Sequence, residues 1–344
     1  MSARQNSEHP KPILQRLGIR PRRRLGQNFL ISDQLLDRIV ELAGVGPEDA
    51  VLEIGTGLGR LTARLADRAR AVVSVEIDPG LYAAALDRLA GLENVTLVNA
   101  DFLARKHLIN PEVERALRQA AGDGPFKVVA NLPYQISSPG IINLLEWEPQ
   151  PAEIDVMLQA EVADRLTAGP GTPQYGPLTV FAAYWADVER LMKVPPSAFW
   201  PQPQVGSAFV RITPRTSKPE AAVLLGDGSA ARRCKRPLTT KRLRRPPLQA
   251  AFDHKGGCTA PPGASLLKGG RTARYEVFSR VVNKLLQNRR KGLGRALEMG
   301  WGKDVAGAVL GRLGLERAIR PDQLAPGDFI RIAEAIQDAA SAPE

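Results

Sequence analysis

The sequence predicts an α/β fold, a doubly wound parallel sheet followed by a small helical C-terminal domain. Three observations predict it. Short apolar runs alternate with helix-period segments from residue 31 to residue 159. Those runs are apolar almost throughout rather than at every second position, as in strands buried on both faces of a parallel sheet. Beyond residue 273 the strand-like runs stop and only helical periodicity remains, which sets the helices apart from the sheet.

The elements follow in order. Residues 31–43 (ISDQLLDRIVELA) place Leu35, Leu36, Ile39, Val40 and Leu42 on one helical face, with Ser32 or Asp33 as N-cap. Ala50-Val51-Leu52-Glu53-Ile54 is a strand entering a glycine turn, and Leu58 to Ala69 is a helix. A second strand spans 71–77, and Pro79 opens a helix to about Leu89. Strands follow at 95–99 and 126–130, a helix at 139–146 and a strand at 154–159. Residues 208–212 make a last strand of this domain. Helical periodicity returns at 275–299, near 304–313 and in 327–338.

The chain divides into a basic N-terminal tail (1–24), a main domain (25–215), an insert (216–272) and a helical domain (273–340). The insert has six Pro and seven Gly and no periodicity, and is expected to be disordered. Of 344 residues, 44% are hydrophobic and 24% charged, as in a soluble globular protein. No apolar run is long enough for a membrane span, and the basic first residues lack the apolar core of a signal peptide. Two Cys and three His fit a reducing, cytoplasmic setting and offer no metal site. The net charge of +11 is uneven: +6 in the tail, −7 in the main domain, +9 in the insert and +3 over residues 273–344. Basic flanks suit a polyanionic partner such as a nucleic acid.

Glu53-Ile-Gly55-Thr-Gly57-Leu-Gly59 lies between a strand and a helix. Its glycines allow a tight turn and close approach of a ligand to the backbone. The spacing G-x-G-x-G departs from the dinucleotide fingerprint G-x-G-x-x-G, which disfavours a nicotinamide oxidoreductase. Glu76 ends the second strand and can accept from both ribose hydroxyls of an adenosine. Asp101, before Phe102, can accept from an adenine amino group beside an apolar wall. Glu53 and Glu76 would repel a pyrophosphate, so these ends suit an adenosine-bearing cofactor without one.

The fourth strand ends in Asn131-Leu132-Pro133-Tyr134. The lone pair of an adenine N6 amine is delocalised into the ring. Two acceptors on its N–H bonds, the Asn131 side-chain oxygen and the Leu132 carbonyl, would draw the nitrogen towards tetrahedral geometry and free that pair. Pro133 fixes the turn, and Tyr134 offers a stacking surface for the base. A sulfonium methyl donor needs no general base to begin the displacement, in keeping with the lack of His here.

These residues, with Leu25-Gly-Gln27-Asn28-Phe29-Leu30, Gln159-Ala-Glu161, Val194-Pro-Pro-Ser-Ala-Phe199-Trp-Pro201 and Gln287-Asn-Arg289-Arg290-Lys291, carry a resemblance. Over about 12–215 and 273–337 the chain resembles the small-subunit ribosomal RNA adenine dimethyltransferase family, the kasugamycin-resistance type of bacteria. The resemblance implies a Rossmann-like methyltransferase fold, S-adenosyl-L-methionine as donor, and two adjacent adenosines near the 3′ end of small-subunit (16S) rRNA as substrate. It implies a cofactor site of Asn28, Leu30, Gly55, Gly57, Glu76, Asp101 and Asn131. It pairs Phe199 with Tyr134 around the target base. The expected setting is a 30S precursor in the cytoplasm, with the protein a monomer and no metal. Arg22, Arg23 and Arg24, with Lys284, Arg289, Arg290 and Lys291, are candidate RNA contacts; the spacing 284, 291, 295 puts basic residues on one helical face. The stretch Pro203-Gln204-Val205-Gly206-Ser207 lacks the Asp common in the family, and the insert has no family counterpart. The rival readings are a large-subunit rRNA adenine methyltransferase of the macrolide-resistance type and a non-catalytic ribosome assembly factor.

Overall fold

A computed structural model describes residues 9–22, 25–122, 124–215 and 273–341. The insert, residues 1–8, and Arg23 and Arg24 lie outside these residues. Helix α1 (Pro10–Arg16) precedes the short strand β1 (Phe29–Leu30) and helix α2 (Asp33–Ala43). Ser32 caps α2, its hydroxyl accepting from Leu35 N, while Leu36, Ile39 and Val40 face the core. Then come β2 (Ala50–Ile54), α3 (Arg60–Ala66), β3 (Ala71–Glu76), α4 (Pro79–Leu89) and β4 (Val95–Asn99). Asp78 caps α4 through Gly80 N and Leu81 N, with Pro79 as its first residue. A small hairpin, β5 (Leu103–Arg105) and β6 (Leu108–Ile109), leads to α5 (Pro111–Ala121). The remaining elements of this part are β7 (Phe126–Asn131), α6 (Ser137–Glu146), β8 (Glu153–Gln159), α7 (Ala160–Leu166), α8 (Pro177–Trp185), β9 (Ala186–Val194), β10 (Phe199–Trp200) and β11 (Ser207–Pro214).

The main sheet has seven strands in the order β4-β3-β2-β7-β8-β11-β9. The first five are parallel, as the apolar runs predict. Only β11 is reversed: it runs antiparallel to both β8 and β9, so the sheet is mixed and β9 points the same way as the first five. The reason is the connection. Residues 195–206 carry four prolines and no crossover helix, and without such a crossover two strands meet antiparallel. β9 escapes the sequence pattern because it is an edge strand studded with Asp187, Glu189, Arg190 and Lys193. Helix α5 has no counterpart among the elements read from the sequence, although its buried Val113, Ala116, Leu117 and Ala121 recur at helical spacing. Helix α3 is shorter than predicted, ending at Ala66.

The C-terminal helices are α9 (Ala273–Gln287), α10 (Leu293–Trp301), α11 (Lys303–Leu313) and α12 (Pro326–Ser341). The continuous period expected over 275–299 is broken at 288–292, where Gly292 caps α10. Their core of Phe278, Val282, Leu285, Leu293, Phe329 and Ile332 also takes in Tyr175, Val180 and Tyr184. Tyr184 stacks on Phe278 with ring centres 4.4 Å apart, and the Tyr175 hydroxyl donates to Leu324 O at 2.7 Å. Fully burying a side chain of this size contributes about 1.5–3 kcal/mol, so α8 and these helices hold each other in place.

Candidate active site

The carboxyl ends of β2, β3, β4 and β7 open into one cleft of about 300 Å³. Its walls include Asn28, Leu30, Gly55, Gly57, Glu76, Asp101, Asn131, Leu132, Pro133 and Tyr134. Residues separated by more than a hundred positions are thus brought together, at the place where open α/β sheets bind ligands.

The glycine loop is built for close contact. Gly55 has φ +90°, and a Cβ there would lie 3.3 Å from Pro133 and 3.7 Å from Asn131 O. The loop therefore rests directly on the Asn131–Tyr134 turn. Gly57 N donates to Glu76 Oε2 at 2.8 Å, and Asp78 N donates to Glu76 Oε1 at 2.9 Å. Each carboxylate oxygen retains a lone pair for a further donor. Burial raises the Glu76 pKa; the Asp78 and Gly57 N–H bonds oppose the rise and the Asp78 charge adds to it.

Glu53 lies deeper, 1% exposed, and its Oε2 accepts from Thr62 Oγ1 at 2.5 Å and Ser74 Oγ at 2.6 Å. Burial raises its pKa to about 8 against those bonds, with the Glu76 charge adding to the rise. Glu53 is thus mostly protonated at neutral pH. The repulsion of a pyrophosphate expected from both acids therefore falls to Glu76 and the exposed Asp101. Asp101 accepts from Leu103 N at 3.0 Å through Oδ1, which leaves its other oxygen for a ligand. The cationic side chain in the cleft wall, Arg60, is 7% exposed and engaged elsewhere.

Arg60 is one of several residues that the sequence motifs did not single out. Opening α3 just after Gly59, it donates to Leu30 O at 2.6 Å and to Asp33 Oδ1 at 2.7 Å. Gln27 spans Arg22 N (2.7 Å) and Asp78 Oδ2 (3.4 Å). Gly26, with φ +62°, packs so tightly that a Cβ would lie 3.0 Å from Tyr134 N. Helix α1 also belongs here: Pro10 lines the cleft, and Ile13 and Leu14 pack with Leu58 and Leu81. Of these, Gly26 and Gln27 gave a sequence signal, as part of the Leu25–Leu30 string.

This N-terminal segment sets the orientation of Asn131. Asn131 Nδ2 donates to Asn28 O at 2.9 Å, and Asn28 Nδ2 closes the turn onto Gly26 O at 3.1 Å. With the amide nitrogen committed, the oxygen Oδ1 is left as the acceptor. The Leu132 carbonyl accepts no backbone hydrogen bond from the described residues. The Tyr134 hydroxyl pairs with Ser207 Oγ at 2.9 Å, which fixes the ring, and burial raises its pKa.

Phe199 is placed differently. It pairs with Leu30 on the β1–β10 ladder, is 3% exposed, and packs with Leu36, Met157 and Phe209 behind the cleft wall. Arg22 is half exposed and pairs with Asp78 at 3.4 Å; Arg23 and Arg24 lie outside the described residues. Lys284, Arg290 and Lys291 are exposed. Arg289 instead donates to Tyr175 O at 3.3 Å. The break between α9 and α10 separates Lys284 from Lys291 and Arg295, so the shared helical face expected for them does not form. Among the described residues no group of His, Cys, Asp or Glu could hold a metal ion, and no helix is long and apolar enough to cross a membrane.

Residues 18–224, more than half of the chain, match the family model for ribosomal RNA adenine dimethylase. The chain belongs to the ribosomal RNA adenine dimethylase family. Dimethylase relatives named ribosomal RNA small subunit methyltransferase A include that of Lachnoclostridium phytofermentans, 42% identical over 56% of this chain and 64% of its own length. The relative from Geobacillus thermodenitrificans is 42% identical over 61% of this chain and 70% of its own length. These matches thus span about two thirds of each relative. Among solved structures, a dimethyladenosine transferase from Plasmodium falciparum aligns with TM-score 0.64 at 21% identity, over 91% of this chain and 98% of its own. The 23S rRNA methyltransferase ErmE aligns with TM-score 0.56 at 26% identity, over 90% of this chain and 100% of its own. The dimethylase fold, a Rossmann-like sheet with appended helices, therefore holds across both.

Proposed function

We propose that this dimethylase transfers methyl groups from S-adenosyl-L-methionine to N6 of two adjacent adenosines near the 3′ end of small-subunit rRNA, two methyls to each. The observation that carries this reading is the Asn131–Tyr134 turn held against the glycine loop, with the Asn131 amide nitrogen already bonded to Asn28 O. The cleft fits the donor: it offers carboxylates for an adenosine, a glycine cradle and, among the described residues that line it, no free cation for a pyrophosphate. When bound, S-adenosyl-L-methionine supplies an electrophilic sulfonium methyl.

The residues of the chain do the rest. Glu76 accepts from the ribose hydroxyls, Asp101 from the adenine amino group, and Ile77 and Phe102 supply apolar walls. Asn28 and Leu30 close the cleft. Asn131 Oδ1 and the Leu132 carbonyl accept from the target amine, leaving its lone pair available as the nucleophile. Such preorganised acceptors typically contribute 10²–10³-fold to a rate. Tyr134 stacks on the target base, worth ~1–3 kcal/mol. For Phe199 to cover the other face, its ring must be uncovered from the β1–β10 ladder when RNA enters. The substrate base must be flipped out to reach Asn131. Arg22, Arg23, Arg24, Lys284, Arg290 and Lys291 are the proposed phosphate contacts, within a 30S precursor, in the cytoplasm and as a monomer.

The small-subunit relatives, at 42% identity, support this substrate over the large-subunit reading, which ErmE represents at 26%. The test is incubation of small subunits from a methylation-deficient strain with labelled donor, followed by mapping of the modified positions. Label at two adjacent adenosines near the 3′ end is expected. Small subunits left unlabelled, or labelled only at other positions, would overturn the reading. Asn131→Ala is expected to lose at least 10²-fold in rate while retaining RNA binding, and near-normal turnover would refute its role.

A further inference from the structure

The main domain must approach a polyanion while carrying 16 basic against 23 acidic residues over 25–215. Nine of those basic residues stand in ion pairs. Arg105 and Lys106 do not. They are the one sequence-adjacent pair of cations among the described residues of this stretch without an ion pair, and the whole segment 104–108 is exposed. They form, with His107, the tip of the β5–β6 hairpin, a tripeptide outside every sequence motif described above.

The hairpin is rooted at the cleft. Asp101 and Phe102, which line the cleft, precede it directly, and its strands close over Phe102 through Asn110 N to Phe102 O at 2.9 Å. Its tip is pinned to the helix that follows the Asn131–Tyr134 turn. Asn143, 6% exposed, donates from Nδ2 both to Lys106 O at 2.9 Å and to Pro139 O at 2.7 Å. Asn143 lies six residues along α6 from Ser137, about 9 Å at 1.5 Å per residue. The backbone of Lys106 is thus fixed to the helix that leaves the turn that would receive the target base. A fixed, unneutralised double cation beside the cleft of an acidic domain is suited to the phosphates flanking that base.

We propose that the β5–β6 hairpin is a phosphate-contact surface for the substrate RNA, with Arg105 and Lys106 gripping the backbone beside the flipped nucleotide. This inference rests on the RNA-substrate reading above. Arginine and lysine at such positions fix the register of the nucleic acid without reading its sequence, and the His107 ring is available to stack on an unpaired base.

The experiment measures binding of the full chain to a transcript of the 3′ end of small-subunit rRNA as a function of salt. Removing one phosphate-binding cation should make the slope of log affinity against log salt shallower by about 0.7 for single strands to 0.9 for duplex. Arg105→Gln/Lys106→Gln is therefore expected to lose roughly 1.4–1.8 in slope, which at 0.15 M salt is roughly 15- to 30-fold in affinity. Its affinity for S-adenosyl-L-methionine, measured on the same preparation, should be unchanged, because neither side chain lines the cleft. Arg68→Gln, at the amino end of β3 away from the cleft, should keep the wild-type slope. If the double variant also loses donor affinity, the single variants Arg105→Gln and Lys106→Gln replace it, each expected to lose about half the slope. A wild-type slope and affinity in the hairpin variants, with wild-type enzyme methylating the small subunit, would overturn the hairpin proposal and leave the function standing. Failure of the wild-type chain both to bind the transcript and to methylate small subunits would overturn both.

Discussion

Glu76→Gln isolates the grip on the cofactor ribose, because it changes one oxygen to an amide nitrogen and almost no volume. The carboxylate accepts from Gly57 N through Oε2 at 2.8 Å and from Asp78 N through Oε1 at 2.9 Å. A glutamine can satisfy one of these N–H groups, and its NH₂ then faces the other. One charge-assisted hydrogen bond is lost, about 1.5–3 kcal/mol, and one backbone donor is left unmatched. The same conflict affects a ribose hydroxyl that donates to that position. For stability there is an opposing effect. Burial raises the Glu76 pKa, so the carboxylate is costly to ionise in the folded protein and the neutral amide removes that cost. The expected result is little change in melting temperature but a dissociation constant for S-adenosyl-L-methionine raised about 10- to 100-fold, at 1.4 kcal/mol per decade. Calorimetric titration with the donor and a thermal melt of the same variant measure the two quantities. A dissociation constant within threefold of wild type, with the fold intact, would remove Glu76 from the ribose site.

Three further outcomes follow from the site. Gly26→Ala forces a side chain into φ +62° and to 3.0 Å from Tyr134 N, so it should cost about 1–2 kcal/mol in stability and lower kcat roughly tenfold or more by shifting the Asn28 carbonyl that orients Asn131; wild-type kcat in a variant with lowered melting temperature would show that the orientation is unimportant. Glu53→Gln removes a group whose pKa rises from 4.5 to about 8 on folding. The stability contributed by that group is full below pH 4.5 and is lost as the pH rises through 8, so the variant should gain in melting temperature relative to wild type between pH 5 and pH 8, and a pH-independent difference would refute the assignment. Phe199→Leu keeps apolar volume at a buried position and should cost less than about 1.5 kcal/mol in stability; if the ring stacks on the target base, kcat/KM for RNA falls by ~1–3 kcal/mol of stacking, whereas a loss that merely follows the melting temperature would confine Phe199 to the ladder with Leu30.

The sequence by itself determined the parallel part of the sheet and the residues at its carboxyl ends. Gly55, Glu76, Asp101 and Asn131 were legible because each sits at or just after an apolar strand, and the topology of such strands sends all those ends to one side. Helix α4 and strand β4 were legible to the residue, from Pro79 and from the run at 95–99. Only the tertiary structure decided what surrounds them. The antiparallel turn of β11 depends on a proline-rich connection without a crossover helix, and β9 hides its strand pattern behind edge charges. Arg60 and Pro10 join the site through contacts with segments distant in the chain, which no local spacing encodes. Whether a carboxylate is charged was also decided there: Glu53 and Glu76 read alike in sequence, but Glu53 meets only two hydroxyls in a fully buried pocket. Burial without backbone donors leaves it protonated at neutral pH, because desolvation then outweighs the hydrogen bonds that would hold its charge.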